Sequence, residues 1–304
     1  MDSLIVQKKN DYSGHTSAVY GLITADDQSG FYSLAGDGWL VKWSSQEGVL
    51  DGMLIASTDA KLFCGTQIKG SSIIVTGDMH GHLYWIDTGL NHILKRSAYH
   101  KGSVFDVYSY SPDILISVSG DGFFCVWNTK DMQPVFSRRL STQGLRCITH
   151  DINTDTLYIG SSDNHIYMID TKSWNQIGII KNAHKNSVFS MTTIADRYLI
   201  SGSRDAHFTV RHLIDNEEVC SEPGHWYTIN KILYIAEMQI LVTASRDKTV
   251  RIWDAENFSL LKTLDVQKGG HFNSVNSLAW IPDRHTLISA GDDRVIKSWK
   301  VERF

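Results

Sequence analysis

Apolar residues along this chain alternate with polar ones instead of recurring at helical spacing. Short runs of Val, Ile, Leu and aromatic residues, such as Ile73–Val75 and Leu241–Val242, lead into clusters of Gly, Ser, Asp and Asn, and a second run such as Val250–Trp253 follows. Strands bounded by tight turns have this pattern. Because no segment shows a convincing amphipathic helix, the sequence predicts an all-β fold.

One unit of strand, tight turn and strand recurs along the whole chain. Its clearest copy is TASRDKTVRIWD, and the turn positions of all copies are Asp37, His80, Asp121, Asp163, Asp205, Asp247 and Asp293. Neighbouring positions lie 41 to 46 residues apart. A period near 40 indicates a repeat architecture, and one period has room for four strands of about 5–6 residues with their connections.

The clearest copy contains a set of residues that resembles a catalytic triad. Thr243, His225 and Asp247 supply a hydroxyl, an imidazole and a carboxylate, the groups of a catalytic triad. Four copies carry such a set, whereas an enzyme needs one active site. We therefore interpret these residues as part of a repeated structural unit.

The residues around each copy resemble the WD40-repeat β-propeller family. Gly-His, Tyr-His or Ala-His dipeptides precede the turn Asp by some 22 residues, and Asp254 completes one literal Trp-Asp pair. Four copies end their third strand with Trp, at Trp43, Trp127, Trp253 and Trp299. The resemblance covers nearly the whole chain and implies a seven-bladed propeller, with four antiparallel strands per blade around a central channel.

The repeat boundaries predict one propeller domain over residues 1–304. The expected blades are residues 12–55, 56–97, 98–138, 139–180, 181–221, 222–267 and 268–304. The last blade ends after its third strand, so we expect the strand-like residues 3–9 to pair there and close the ring, which removes an open sheet edge.

The resemblance also implies a buried hydrogen-bonded relay of His, Ser or Thr, Asp and Trp within a blade. The matching sets are His15, Ser33, Asp37 and Trp43; His100, Ser117, Asp121 and Trp127; His225, Thr243, Asp247 and Trp253; and His271, Ser289, Asp293 and Trp299. Such groups satisfy one another when buried.

Three blades depart from this pattern. Blade 2 has Thr58 and Asp59 in the His place, His80 for Asp and Ile86 for Trp; blade 4 has no His, with Ile159 for Ser/Thr and Ile169 for Trp; blade 5 keeps His184, Ser201 and Asp205 but has Arg211 for Trp. We expect blades 2 and 4 to replace the relay with apolar packing. Arg211 needs a partner, for which Asp215 or Glu217 is available.

Composition and charge favour some classes of protein over others. A net charge of −4 and a pI near 6.3 give no general attraction for nucleic acid. Cys64, Cys125, Cys147 and Cys220 show no CxxC spacing, so they are expected to be reduced. Neither a signal peptide nor an 18-residue apolar stretch is recognisable, which predicts a cytoplasmic protein without a membrane segment.

The resemblance places two positions of each blade at the top opening of the channel. The first is Tyr20, Phe63, Phe105, Arg146, Phe189, Asn230 and Asn276 in blades 1 to 7. The second, before the turn Asp, includes Arg204 and Arg246, and the loop into blade 6 adds Trp226 and Tyr227. Aromatic residues and Arg are enriched at interface hot spots. Two alternatives remain open: the aromatics plug the channel, and each Arg binds a neighbouring turn.

The predicted partner-binding residues are Tyr20, Phe63, Phe105, Arg146, Phe189, Arg204, Trp226, Tyr227 and Arg246. We expect a non-enzymatic scaffold that binds a protein segment, acidic or phosphorylated, on the top face. The propeller itself is expected to be monomeric and to act as a subunit or adaptor of a complex. The competing hypotheses are a polyanion or nucleic-acid reader that uses the Arg cluster, and an enzyme at the channel mouth.

No cofactor or metal is expected. His80 and His82 point the same way on a strand beside Asp78. A metal site would need further ligands, and the only candidate, His92, does not lie at a sequence spacing that would bring it to the two histidines. Walker, GxGxxG and GxSxG patterns are absent from the sequence.

Overall fold

The computed structural model describes residues 4–46, 48–194 and 197–303. Its strands form seven antiparallel four-stranded sheets. Blades 1 and 2 comprise β2 (Val19–Thr24), β3 (Gly30–Ala35), β4 (Trp39–Ser44), β5 (Gly52–Ser57), β6 (Leu62–Gln67), β7 (Ile73–Asp78), β8 (His82–Asp87) and β9 (His92–Ala98). Blades 3 and 4 comprise β10 (Val104–Ser111), β11 (Ile114–Ser119), β12 (Phe123–Asn128), β13 (Gln133–Arg139), β14 (Leu145–Asp151), β15 (Thr156–Ser161), β16 (Ile166–Asp170) and β17 (Gln176–Ile180).

The remaining three blades follow the same order. Blades 5 and 6 comprise β18 (Val188–Ile194), β19 (Tyr198–Ser203), β20 (Phe208–His212), β21 (Glu218–Glu222), β22 (Ile229–Ile235), β23 (Ile240–Ser245), β24 (Val250–Asp254) and β25 (Leu260–Leu264). Blade 7 comprises β26 (Val275–Ile281), β27 (Thr286–Gly291), β28 (Ile296–Arg303) and β1 (Leu4–Tyr12). Among the described residues, helical structure is limited to 3₁₀ turns at Ala236–Met238, Val266–Lys268 and Pro282–Arg284.

The seven sheets form a closed ring. The first strand of each blade packs against the first strand of the next, and β26 of blade 7 packs against β2 of blade 1. Within blade 7, β1 pairs antiparallel with β28, from Leu4 opposite Arg303 to Tyr12 opposite Ile296. The predicted all-β class, seven blades and N-terminal closure are therefore confirmed.

Strand ends differ slightly from the predicted blade limits. β5 continues to Ser57, β13 to Arg139 and β21 to Glu222, one or two residues past the expected blade ends. The closing strand β1 runs to Tyr12, which the repeat spacing assigns to blade 1. Ser3 and Phe304, the outer limits expected for blade 7, lie outside the described residues.

Apolar side chains from neighbouring blades form the core. Trp43, Trp85, Trp127 and Trp299 are fully buried. At the ring closure, Tyr12 of β1 packs edge-on against Phe31 and Trp43, with centroid distances of 5.3 and 5.6 Å. The closing strand thus adds to the core between blades 7 and 1 as well as to the sheet of blade 7.

Every innermost strand carries a one-residue irregularity at the same place. In β2, Val19 pairs with Ala35 and Gly21 pairs with Leu34, which leaves Tyr20 as the extra residue. The corresponding extra residues are Phe63, Phe105, Arg146, Phe189, Asn230 and Asn276. A β-bulge redirects the side chain of its extra residue. This repeated bulge aims one side chain per blade at the channel.

Candidate functional site: the channel mouth and the upper rim

Four blades bring the predicted relay residues together. In blade 1, His15 Nδ1 lies 3.0 Å from Asp37 Oδ2, its Nε2 lies 2.7 Å from Ser33 Oγ, and Trp43 Nε1 donates to Ser33 Oγ at 2.7 Å. The sets of blades 3, 6 and 7 have the same three contacts, all between 2.7 and 3.3 Å. One proton arrangement satisfies each set: Trp donates to the hydroxyl, the hydroxyl to neutral His, and His to the carboxylate.

The relays also shift the pKa values of their members. Burial raises the pKa of Asp121, but hydrogen bonds from His100 and from backbone N–H groups outweigh it and lower the pKa to about 2. The pKa of Asp205 falls to about 2 for the same reasons, with His184 as the donor. Burial lowers the pKa of His225 below its ordinary value. The two carboxyl groups are therefore ionised and His225 is neutral, as the proton arrangement of the relay requires.

The expectation of apolar packing in blades 2 and 4 is only partly correct. Ile86 and Ile169 do fill the Trp place, but each turn keeps a polar network. In blade 4, Asp163 accepts hydrogen bonds from Ser141 at 2.5 Å and from Tyr167 at 2.7 Å.

Blade 2 builds its polar network around a different carboxylate. Buried Asp78 lies 2.7 Å from His82 Nδ1 and accepts a hydrogen bond from the Tyr84 hydroxyl at 3.3 Å. Tyr84 and Tyr167 occupy equivalent positions, in the segments HLYWID and HIYMID. This shared pattern was the sequence signal that could have revealed both substitutions.

Arg211 of blade 5 is bound by neither of the predicted partners. Its Nη2 donates to Glu218 at 2.5 Å, and its Nη1 donates to the backbone oxygen of Asn216 at 3.3 Å. Asp215 instead accepts from the backbone N–H of Glu217. The register of the repeat is correct, since Arg211 pairs with Leu199 as Trp253 pairs with Leu241.

The channel mouth is lined by all seven bulge residues. They surround a cavity of about 340 Å³. Tyr20 contacts Phe63 edge-on at 5.1 Å, and Phe63 stacks on Phe105 at 6.1 Å. The aromatic arc of blades 1 to 3 therefore packs partly on itself, as the plug interpretation expected, yet it leaves an open cavity.

Arg146 continues this arc and is held on three sides. Its guanidinium lies 4.0 Å from the Phe105 ring centroid and 5.2 Å from that of Phe189, and its Nε donates to Ser162 Oγ at 2.7 Å. Cation–π contacts of this kind fix a guanidinium in place. The terminal nitrogens of Arg146 have no hydrogen-bond partner among the described residues. Burial and the nearby charge of Arg204 lower its pKa.

Blades 6 and 7 line the mouth with satisfied amides. Asn230 donates to the backbone oxygen of Val275 at 2.8 Å. Asn276 donates to Asp292 at 2.7 Å and to the backbone oxygen of Val19 at 3.1 Å. The mouth is therefore aromatic and cationic on one side and polar on the other.

The upper rim of blades 5 and 6 carries the other predicted residues. Arg204 and Arg246 are exposed, and neither side chain has a hydrogen bond or ion pair within the described part of the chain. The interpretation that they bind a neighbouring turn is thus wrong. Trp226 is 81% exposed and Tyr227 62% exposed. Arg204 shares a depression of about 510 Å³ with Arg146, whereas Arg246 does not line it.

Sequence reasoning missed three rim residues. Phe272 follows the relay residue His271 as Trp226 follows His225, and it is 62% exposed. Lys248 and Arg294 are exposed turn residues with φ of 76° and 66°, where blades 1 to 3 have glycine. The positive φ belongs to the repeated turn, since Asn164 and Ala206 have it at the same position in blades 4 and 5.

The relay connects the core to this rim. Asp247 Oδ2 accepts from the backbone N–H of Trp226 at 3.1 Å, and Asp293 Oδ2 accepts from that of Phe272 at 3.3 Å. The carboxylates that bind the buried His residues therefore also fix the backbone beneath the two exposed aromatic side chains. We define the upper rim as Arg204, Trp226, Tyr227, Arg246, Lys248, Phe272 and Arg294.

The His80 region has no metal-binding arrangement. His82 is engaged by Asp78, and Arg96 Nη2 lies 3.1 Å from its Nε2. Groups of three or more His, Cys, Asp or Glu suited to a metal do not occur among the described residues. In the same part of the chain, no helix has the length and apolar character needed to cross a membrane. The four cysteines are free thiols.

Comparisons with known proteins agree with this geometry. The family model "WD domain, G-beta repeat" matches residues 216–254 and 258–300. The chain is 21% identical over 270 residues to eukaryotic translation initiation factor 3 subunit I of Nematostella vectensis, covering 82% of this chain and 84% of that protein. It is 33% identical over 115 residues to the human kinesin-like protein KIF21A, covering 38% of this chain.

Other relatives share the repeats within longer chains. The match to the E3 ubiquitin-protein ligase COP1 of Arabidopsis thaliana is 23% identical over 204 residues and covers 66% of this chain. This chain spans 30% of that ligase and 7% of the kinesin-like protein. The solved WD40 β-propeller domain of Doa1 superposes with a TM-score of 0.84 at 18% identity, covering 98% of this chain and 97% of that domain. Residues 216–300 thus match WD40 repeats, and the whole ring has the fold of a WD40 β-propeller.

Proposed function

We propose that the protein is a non-enzymatic interaction scaffold that binds an acidic or phosphorylated protein segment on its top face. The segment lies across the upper rim and the channel mouth. Its apolar side chains contact the rim aromatics, and its carboxylates or phosphates pair with arginine. Arg suits such anions because its planar fork can donate two parallel hydrogen bonds.

The observation that carries this proposal is the pairing of exposed aromatics with unpaired cations. Trp226, Tyr227 and Phe272 together expose far more aromatic surface than isolated surface residues do. The cations beside them, Arg204 and Arg246, have no ion-pair partner among the described residues. Aromatic and Arg side chains carry most of the binding energy at protein interfaces.

Rigidity supports the same proposal. The backbone under Trp226 and Phe272 is fixed by the relay carboxylates, and the closed ring holds neighbouring blades together. A surface that is already ordered loses little conformational entropy when it binds. The titratable His and Asp groups of the relays are already used by one another, which argues against an enzyme at the channel mouth.

The family relationship supports a place in an assembly. One relative is named as a subunit of a translation initiation factor. We infer that this protein acts as a subunit or adaptor of a cytoplasmic complex, with a monomeric propeller. The polyanion-reader hypothesis shares the same arginines, but a net charge of −4 gives no general attraction for nucleic acid.

The test is selection of ligands from a displayed library of random peptides. We expect peptides that combine acidic residues with an aromatic or aliphatic anchor. The double variant R204E/R246E should weaken their binding by about tenfold or more, and W226A should do the same, as expected for hot-spot residues. Replacing one acidic residue by phosphothreonine separates a phosphate preference from a carboxylate preference.

The matched control is K9E/K172E, which changes the net charge equally at two exposed lysines away from the rim. It should leave binding unchanged, and all variants should melt like the wild type. Selected peptides without acidic enrichment, or a failure to select any, would contradict the proposal. Binding of an oligonucleotide that exceeds peptide binding and falls steeply with salt would favour the polyanion reader.

A further inference from the structure

We propose that the cavity of the channel mouth binds a small anionic molecule whose phosphate or carboxylate pairs with Lys231 and whose body is apolar or aromatic. This site goes beyond the proposed scaffold function, because it needs none of the exposed rim residues.

Lys231 places a positive charge inside the channel. It follows the bulge residue Asn230 on β22 of blade 6 and lines the cavity. Its charge acts on Asp106 of blade 3 and on the thiols of Cys64 and Cys147 in blades 2 and 4. Lys231 therefore lines the same cavity as these groups of blades 2, 3 and 4.

This ammonium group is unpaired. Within the described residues, Lys231 makes no hydrogen bond and has no carboxylate within ion-pair distance. Lys231 is partly buried, and an ammonium group that has lost part of its water is stabilised by an anionic partner. An anion in the cavity would supply that partner.

Asp106 attracts Lys231 across the channel but does not form an ion pair with it. Its two carboxylate oxygens accept hydrogen bonds from the backbone N–H groups of Val107, at 3.0 Å, and Ile148, at 2.9 Å. Burial raises the pKa of Asp106, and the charge of Lys231 acts in the opposite direction. Ser190 and Ser277 likewise accept hydrogen bonds from backbone N–H groups of the adjacent blade. The Asp106 carboxyl group therefore serves to join two inner strands.

The remaining walls select the body of the ligand. The cavity of about 340 Å³ is bordered by Phe63, Phe105 and Phe189, which offer ring faces, and by Arg146, which offers two free terminal nitrogens. Pockets of this size hold small molecules. Two unpaired cations disfavour a cationic ligand, and the aromatic arc favours an apolar or aromatic body.

The experiment compares four probes of nearly equal size by titration calorimetry. Phenyl phosphate and benzoate are anionic, benzyl alcohol is neutral and benzylamine is cationic. We expect saturable binding of the two anions only. K231M should weaken that binding by about tenfold or more, since it removes the charged donor, and K231R should restore it.

Two further variants separate this site from others. K172M removes an exposed lysine elsewhere and should leave anion binding intact. R204E/R246E should also retain anion binding, while K231M should retain binding of the selected peptides, so each proposal can fail without the other. The inference is overturned if neither anion binds saturably, if the four probes bind alike, or if K231M binds the anions as well as wild type does. Inorganic phosphate that binds all variants equally would be an adventitious ion only.

Discussion

Two threonines show how much a side chain depends on its neighbours. Thr243 and Thr76 occupy the same position in blades 6 and 2 and are both fully buried. Thr243 Oγ1 accepts from Trp253 and donates to His225, whereas Thr76 Oγ1 has no partner. Blade 2 has Ile86 in the Trp place and no His, so the hydroxyl persists there without the groups that satisfy it. T243V should therefore reduce the free energy of unfolding by about 1–3 kcal/mol, while T76V should leave it unchanged or raise it slightly. Urea unfolding of both variants measures the difference, and equal losses would show that the relay adds nothing at this position.

At the scale of an element, β1 joins the ends of the chain and contributes to two blades. It pairs with β28 in blade 7, and Tyr12 at its end packs between Phe31 and Trp43 of blade 1. Y12A should cost about 3–5 kcal/mol, since it removes a buried aromatic ring and leaves a cavity. Ile5 on the same strand is 41% exposed, so I5A is the matched control and should change stability by less than about 0.5 kcal/mol. Thermal unfolding of the two variants and of a truncation lacking residues 1–9 tests this. A truncated protein that melts like the wild type would contradict a role for β1 in closure.

Across the whole molecule, the repeated relays link stability to pH. His225 has a lowered pKa in the folded state, so the unfolded chain takes up its proton first, and stability falls as pH drops below about 6.5. Asp121 and Asp205 have pKa values lowered to about 2, so they stabilise the fold above the unfolded value of about 4 and lose that contribution as pH falls toward 2. We expect melting temperatures to fall in these two pH ranges. H225Q should flatten the dependence between pH 7 and 5, and it should also change the acid range, because His225 helps to hold the pKa of Asp247 below its ordinary value. An unchanged profile between pH 7 and 5 would exclude His225 as the source.

The sequence by itself determined the all-β class and the number of repeats, and its resemblance to WD40 repeats implied the members of the relays. Each of these depends on residues at fixed offsets within one repeat, such as His225, Thr243 and Trp253, and seven copies in register make such local patterns unambiguous. The resemblance placed Tyr20 and its counterparts at the channel opening, and the structure shows that each is the extra residue of a β-bulge. The outcome at the irregular blades was misjudged. Glu218 binds Arg211 through side-chain reach that spacing does not report, whereas the shared segments HLYWID and HIYMID were a signal for Tyr84 and Tyr167 that was overlooked.

Only the tertiary structure decided which side chains share a space and which are left without partners. Lys231, Asp106 and Cys64 belong to three blades far apart in the chain, and ring closure alone brings them to one channel. The guanidinium of Arg146 is oriented by rings from two other blades. The burial of a side chain and its hydrogen bonds depend on every residue that packs around it. A sequence pattern can place a residue on a strand, but it does not show which residues of other blades lie opposite.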